Sequence, residues 1–574
     1  MRPHETGHFK AHDGSVLFYR AWLPTGPVRQ SVILFHRGHE HSARFQELVD
    51  GLQLDHVAFF AWDARGHGHS PGERGHARGL AQLERDMQDF MEHLTSEHRL
   101  DPEQSVVIAH SVAAVVAGLW AIDYAPRLRG LVLATPALQV KLYVPFARAG
   151  LTALNAMGLM PNVQSYVRGF ALTHDREQAR AYDQDPLISK QIATHVLLDL
   201  YRGAERLAKS AGNLEMPVQV LAARADWVVK NKPIRQFFRK LPSPHKEIEV
   251  YRDFYHALFH EKERHQVFRD VRSFVLRCFE RPLERQHLLQ ADRYGASQER
   301  YRWHQAGPPR LSLQHLGYLG TRLAMKTLGR LSQGLRLGMR AGFSSGPTLD
   351  YVYDNQPRGW TPLGRWLDQN YLQALGWRCI RVRRRHIEEL LIGLMNSVQE
   401  CRLVDLAGGP GGYLLDVLQA HPEWKLRALV RDRDLTALQQ GEQRAAERGE
   451  KRLEFQAGDA FDAASLATLK EMDVAVVSGL YELFPENTPV RASLEGLARA
   501  VKPGGYLIYT NQPYHPQLEL IAETLTHQDG SRWVMRCRST AEMDELVRQA
   551  GFQKQRMLID EEGIFSVSLA RRLP

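Results

Sequence analysis

Ser111 stands where a serine can become a nucleophile. The apolar run Val106-Val107-Ile108-Ala109 meets the turn His110-Ser111-Val112, and small and apolar residues continue to Ile122. A buried strand, a tight turn and a helix would lift the hydroxyl above a sheet on a strained corner. The usual corner is Gly-x-Ser-x-Gly, but here both glycines are alanine, Ala109 and Ala113. Such a serine needs a base and an acid to orient it, following in the order Ser, Asp, His. Asp226, after the apolar run 218–222, and His256, after 248–251, meet that order; His260, one helical turn on, is the rival base. An oxyanion would need two backbone donors. The candidates are the amides of Val112, next after the serine, and of Gly38, in the loop after an early strand. Taken alone, each residue is a buried serine, a solvated loop aspartate or a surface histidine; the ordered trio carries the reading.

A second set lies in the last third. Asp405-Leu406-Ala407-Gly408-Gly409-Pro410-Gly411-Gly412 joins an apolar run to a helical one. Glycines there let a ligand approach the backbone. The next strand, 426–430, delivers Asp432, twenty residues after Gly412, where an acid can grip ribose hydroxyls, and 453–456 leads to Gly458-Asp459-Ala460. Tyr481, Glu482, Asn511 and Tyr514 follow the fourth and fifth strands, where an acceptor would sit; residues of these types are as often packing or loop residues. Dinucleotide binding, with Arg431 or Arg433 on a 2′-phosphate, is the competing reading, but the turn departs from Gly-x-Gly-x-x-Gly. Any strand-end aspartate can also cap the next helix.

These residues need elements to hold them. Residues 15–23, 31–36, 56–62, 105–110, 128–133, 218–222 and 248–251 read as strands and 80–94 as a helix, which implies a mostly parallel sheet with helices on both faces. Sites in such sheets form at the carboxyl ends of strands, where Ser111, Gly38, Asp63, Asp226 and His256 fall. Residues 139–214 interrupt the sheet with apolar patches between polar stretches, and read as a helical cap that can receive an acyl chain or simply pack on the body. The second strand series, through Val501-Lys502-Pro503-Gly504-Gly505-Tyr506, implies another α/β sheet.

His36-Arg37-Gly38-His39-Glu40-His41-Ser42, Asp63-Ala64-Arg65-Gly66-His67-Gly68-His69-Ser70 and Tyr255-His256-Ala257-Leu258 resemble the monoacylglycerol lipase and lysophospholipase branch of the α/β-hydrolases, of serine aminopeptidase S33 type. The resemblance spans roughly residues 8–280. It implies hydrolysis of acyl esters of lipid-like substrates through an acyl-serine, with Ser111, Asp226 and His256 catalytic. Two departures stand out: the alanine corner, and Arg37 where that branch usually has glycine. The glycine turn and its strands resemble a class I S-adenosylmethionine-dependent methyltransferase, a Rossmann-like fold. That resemblance implies S-adenosylmethionine held by Asp405, Ala407, Gly408, Gly409, Gly411, Asp432 and Asp459. The segment from Gly342, with Gly364-Arg365-Trp366-Leu367-Asp368, resembles the lead-in of a bacterial methyltransferase family whose members occur fused behind an α/β-hydrolase.

Between the two lies a basic stretch. Residues 284–305 read as a linker. From Arg300 to Leu349 there is no acid, while Arg310, Arg322, Lys326, Arg330, Arg336 and Arg340 are basic and leucines recur at helical spacing. A basic amphipathic helix over 310–340 suits the surface of an anionic membrane or an inter-domain packing stripe with a solvated basic face; glycines at 317, 320, 329, 334 and 338 weaken the helix.

At 574 residues the chain exceeds one ordinary core. The expected division is 1–285, an α/β-hydrolase domain; 286–385, the basic linker and lead-in; and 386–574, a methyltransferase domain. Apolar content of 44%, charged content of 24% and a net charge of +9 describe a globular protein that tolerates phosphates or anionic lipid. Sparse aromatic interleaving and the lack of a binding motif argue against nucleic acid. The four scattered cysteines have no metal spacing and read as reduced thiols; with no signal-peptide pattern at the polar N-terminus, a cytoplasmic place, peripheral on the inner membrane face, is expected. The reading is a two-headed enzyme: an acyl-ester hydrolase and an S-adenosylmethionine-dependent methyltransferase with an unknown, lipid-related acceptor. The alternative is a methyltransferase carrying a catalytically silent hydrolase fold that binds lipid.

Overall fold

Short runs of valine, isoleucine and phenylalanine, buried on both faces, make the first sheet. In the computed structural model, which describes every residue except Pro145, Arg310, Ser397, Gln399, Gln528 and the side chains of Ala463 and Ala467, the chain forms two compact units, Met1–Glu284 and Arg285–Pro574. The first holds β1 (Glu5–Lys10), β2 (Val16–Trp22), β3 (Ser31–Phe35), β4 (Ala58–Trp62), β5 (Ser105–His110) and β6 (Gly130–Ala134). After a cap hairpin, β7 (Asn162–Gln164) and β8 (Gln191–Ala193), come β9 (Val218–Ala223) and β10 (Glu247–Tyr251). The sheet order is β1-β2-β4-β3-β5-β6-β9-β10. β1 and β2 pair antiparallel, as do β2 and β4, and every other pairing is parallel. β3, β4, β5 and β6 are buried throughout, as central parallel strands covered on both faces must be.

The helix Val112–Asp123 crosses the sheet almost wholly buried. Its small residues permit this: a methyl on Gly118 would lie 2.9 Å from the Leu207 side chain of the helix Thr194–Ser210. Residues 139–214 hold the helices Ala147–Ala156, Gly169–Leu172, Arg176–Gln184 and Thr194–Ser210 as well as the β7–β8 hairpin.

The second unit carries β11 (Glu400–Leu406), β12 (Lys425–Asp432), β13 (Leu453–Ala457), β14 (Met472–Val477), β15 (Val501–Asn511), β16 (Phe552–Ile559) and β17 (Ser566–Arg572), ordered β13-β12-β11-β14-β15-β17-β16. β11 through β15 are mutually parallel, and β17 runs antiparallel to both neighbours. This is a Rossmann-like sheet. Chain direction across it reverses between β11 and β14, which makes the crevice beyond their carboxyl ends the place for a ligand.

Two expectations about the middle fail. Residues 284–305 are not a linker, because Ala296–Ala306 is helical and Ser297 accepts a hydrogen bond from buried Arg536. The segment 310–340 is not one helix. It breaks into Leu313–Thr327, a tight turn at Leu328–Leu331 and Gln333–Ala341, with the Ser312 and Ser332 side chains capping the two helices. Caps and the glycine at 329 overrode the leucine period. Arg310 lies outside the described residues, and the helix ahead of β11 runs over Leu375–Met395. No helix among the described residues is long and apolar enough to cross a membrane.

Candidate functional sites

Ser111 has φ 58° and ψ −113° at the corner between β5 and its helix, a backbone region that costs a non-glycine residue on the order of 1–3 kcal/mol. Its Oγ lies 2.8 Å from His256 Nε2, and His256 Nδ1 lies 2.8 Å from Asp226 Oδ2. The other Asp226 oxygen accepts the amides of Val228 and Val229 at 2.6 and 2.9 Å. An ionised, acceptor-only Asp226 makes Nδ1 the donor, which leaves Nε2 free to accept from the serine. All three side chains are buried. The backbone oxygen of His256 is itself held by His110 Nε2 and Thr135 Oγ1. His260 is engaged elsewhere: its Nε2 donates to the Arg44 carbonyl at 3.0 Å, and burial with Arg44 beside it pushes its pKa down to about 3.

The Gly38 and Val112 backbones adjoin, since a methyl on Gly38 would sit 3.4 Å from Val112 Cγ2. Neither amide has an acceptor among the described residues. Arg37, next to Gly38, is buried: its Nε lies 2.9 Å from Glu40 Oε2, and its guanidinium lies 4.6 Å over the ring of Tyr182 in the cap. The same loop is joined to the cap by His41 to Asp185 at 2.9 Å, and the helix that follows, Gln46–Leu52, by Glu47 to Gln178 at 2.6 Å. A cavity of about 840 Å³ opens under the cap, reaching Ser111 and His256 and lined mainly by apolar side chains such as Leu151, Leu154, Val163, Ile192 and Leu200.

In the second unit the turn after β11 is built on left-handed residues: Ala407 (φ 57°), Gly409 (φ 56°) and Gly411 (φ 64°). A methyl on Gly408 would fall 2.5 Å from Asp405 Oδ2, and one on Gly411 2.9 Å from Val430. Asp405 is fully buried with the Tyr413 hydroxyl facing it and no well-formed hydrogen bond to either oxygen, and burial pushes its carboxyl up to about 7. Asp432 accepts from the Gly409 amide at 2.9 Å and the Asp434 amide at 2.9 Å, so it holds the turn at the end of β12. Asp459, exposed beyond β13, accepts from the Phe461 amide. Arg431 donates to Ser465 at 2.8 Å through both its terminal nitrogens, which leaves it poorly placed for a 2′-phosphate.

The four acceptor candidates separate. Tyr481 turns into the core, its hydroxyl 3.0 Å from Ser493, and Asn511 donates to the Arg538 carbonyl. Both have their polar groups engaged within the protein. Tyr514 is half-buried. Glu482 accepts from Thr510 Oγ1 at 2.7 Å through one oxygen, while the other is buried without a partner. Arg538 donates to the carbonyls of Tyr481 and Phe484 and thereby fixes the loop after β14.

Sequence reasoning missed Arg383 and Tyr353. Arg383 lies buried on the helix Leu375–Met395 with Nε unpartnered and one terminal nitrogen 3.3 Å from the Tyr353 hydroxyl. One arginine among Arg378, Arg381, Arg384 and Arg385 carries no signal of its own. His12, Asp86 and Asp89 bring possible metal-ligating atoms together, but Asp86 is already paired with Arg65.

Residues 271–572 match the family described as "Putative methyltransferase", and residues 26–263 match "Serine aminopeptidase, S33". An Escherichia coli K12 protein described as "Uncharacterized protein YnbC" is 46% identical over 98% of each chain. A monoglyceride lipase of Rattus norvegicus is 25% identical over 47% of this chain and 89% of its own length. A monoacylglycerol lipase of Mycolicibacterium smegmatis is 24% identical over 47% of this chain and 95% of its own. The chain thus belongs to the family described as Putative methyltransferase, with an α/β-hydrolase of the serine aminopeptidase S33 family ahead of it.

Proposed function

We propose that the chain is a two-domain enzyme: a serine hydrolase of single-chain acyl esters over residues 1–285 and an S-adenosylmethionine-dependent methyltransferase over 386–574. The observation that carries the first half is the pair of 2.8 Å contacts joining Ser111, His256 and Asp226. Ser111 Oγ attacks the ester carbonyl as its proton passes to His256 Nε2. Asp226 fixes the imidazole tautomer and stabilises the imidazolium. The Gly38 and Val112 amides meet the oxyanion, each contributing about 3–4 kcal/mol. His256 returns the proton to the departing alcohol, and water then releases the acyl group by the same route reversed. The apolar cavity under the cap suits one acyl chain, and a glycerol head matches the names of the two lipase relatives; a lysophospholipid head is the second candidate.

In the second half, a buried carboxylate with spare acceptor capacity and a turn that tolerates no side chain at Gly408 fit an ammonium-bearing nucleoside. Asp405, Ala407, Gly408, Gly409, Gly411, Asp432 and Asp459 would line its place, and Glu482 would face the acceptor. When bound, S-adenosylmethionine supplies an electrophilic methyl group on sulfur. A further observation favours attachment to the inner face of an anionic membrane through residues 310–340. No residue of the helix Leu313–Thr327 is buried, and Leu313, Leu316, Leu319 and Leu323 face solvent beside a stretch without acids.

Fluorophosphonate labelling, with fatty-acid release from monoacylglycerol and lysophospholipid, tests the first half. Wild type is expected to label and to release acid, and Ser111→Ala to do neither. Equal release by both forms rejects the triad. Absence of labelling in the wild type leaves the fold as a silent lipid-binding module.

A further inference from the structure

An S-adenosylmethionine site needs more than a nucleoside cradle. The donor's amino-acid end carries an ammonium and a carboxylate, and burying both requires one acid and one base in reach. Asp405 can serve as the acid. Among the described residues, the glycine turn and its flanking strands offer no unengaged buried base: Arg431 is engaged on Ser465, and Arg402, Lys425 and Arg427 are exposed.

Arg383 stands in the right place. In the sheet, Asp405 pairs with Val476 and Leu406 with Val477, so the end of β14 adjoins the end of β11. Gly479 follows two residues after β14, with φ 71°, and a methyl there would lie 3.1 Å from both terminal nitrogens of Arg383. The guanidinium therefore sits at the switch point, on the one kind of residue that lets it come so close. The Phe565 ring lies 4.9 Å from it and fixes its plane. Tyr353 bridges the gap electrostatically: its hydroxyl meets Arg383, and it also interacts with Tyr413, whose own hydroxyl faces Asp405. Neighbouring arginines are engaged elsewhere, Arg384 on Glu388 and Asp416 and Arg381 on two carbonyls. Arg383 makes no ion pair among the described residues, its Nε has no acceptor, and Glu482 is felt only at a distance. A buried cation with donors left over is costly unless an anion completes it.

We propose that Arg383, with the Tyr353 hydroxyl, binds the carboxylate at the amino-acid end of S-adenosylmethionine, opposite Asp405 on the ammonium. The assignment rests on the cofactor reading above. It also explains why a helical segment precedes β11, since the helices carrying Tyr353 and Arg383 close the end of the site that the glycine turn leaves open.

Two ligands separate this assignment from the cofactor reading. S-adenosylhomocysteine has the amino-acid end; 5′-methylthioadenosine has the same adenosine and thioether without it. Calorimetric titration of the full chain is expected to show both binding wild type. Arg383→Met should bind S-adenosylhomocysteine roughly ten- to a hundredfold more weakly while binding methylthioadenosine as wild type does, which also shows that the crevice is folded. Arg383→Lys should recover part of the loss, and Tyr353→Phe should lose a few-fold. If Arg383→Met binds S-adenosylhomocysteine like wild type, or loses both ligands equally, the carboxylate assignment is wrong and the cofactor reading stands. If wild type binds neither ligand, both fall together.

Discussion

Arg37 precedes Gly38 in the loop that would supply an oxyanion donor, and its role can be tested by its energy. Its side chain and that of Glu40 are 3% and 4% exposed. Arg37→Met keeps the apolar stem but strands Glu40, and removing one partner of a buried pair costs about 3–5 kcal/mol. Glu40 keeps a second cation, Arg44 at 2.7 Å, so the lower end, about 3 kcal/mol, is expected. The contact over Tyr182 contributes up to about 2 kcal/mol when desolvated, but it involves the same guanidinium and does not add in full. Glu40→Gln in the Arg37→Met background should recover about 1–2 kcal/mol, because the stranded charge is gone. Tyr182→Leu should lose only the ring contact and loosen the cap. Calorimetric unfolding of wild type, both single variants and the double variant gives the coupling, and protease cleavage within 139–214 reports the cap. Stability within about 0.5 kcal/mol of wild type for Arg37→Met, or strictly additive singles, would refute the reasoning and make Arg37 a spectator of the loop.

The first unit should be acid-labile. Burial, with Arg37, His36 and Arg44 respectively nearby, holds His39, His67 and His260 near 4, 3 and 3, below the usual 6.5. Folded pKa values below the unfolded ones stabilise fully above about 6.5, and the contribution is lost as pH falls toward 3–4, by about 1.4 kcal/mol per pH unit for each group. Urea midpoints measured from pH 7.5 to 5 should fall steeply, and less so in His39→Asn; a flat profile contradicts the burial argument. Asp405 has the opposite sign. Its raised pKa stabilises the ligand-free unit fully below about 4, and that contribution fades as pH rises through 7. An ammonium ligand prefers the ionised form, so S-adenosylhomocysteine should bind more tightly at pH 8 than at pH 6, and Asp405→Asn should erase the difference. Co-sedimentation with anionic vesicles should be lost in Leu316→Ser/Leu323→Ser and weakened by salt; indifference to lipid charge would count against the membrane surface.

Both sheets could be read in the sequence because their central strands are buried on two faces and so appear as continuous apolar runs: Val106-Val107-Ile108 in β5, Val474-Ala475-Val476 in β14. The edges could not. β1 is largely exposed and polar, and the antiparallel pair β16–β17 offers only broken alternation. The middle was misread because leucine spacing is blind to caps. Ser332 begins a new helix by accepting the Leu335 amide, and Asp368 fixes that corner by accepting from the Ser332 hydroxyl and the Gly334 amide. Candidate site residues were legible where they lie at the carboxyl ends of strands, as Ser111, Asp226, His256, Asp405 and Asp432 do. Arg383 was not: it is mid-helix, and only the fold brings it against Gly479.

The two sites differ in how far their polar atoms are satisfied, and that difference bears on what each requires of a ligand. Around Ser111 the bonds are complete: serine to histidine, histidine to aspartate, aspartate to two amides. A site arranged this way is ready for an uncharged ester and needs from it only apolar burial and an oxygen for two idle amides, which is how preorganised electrostatics lowers a barrier. At the β11–β14 switch point, Asp405, Arg383 and Glu482 each retain a buried charged atom without a partner. Such groups are destabilising on their own, so a ligand that completes them must carry charge of both signs. A zwitterionic amino-acid end beside a sulfonium meets that demand, and a neutral lipid does not. On the proposed function, the first crevice would select by shape and the second by charge.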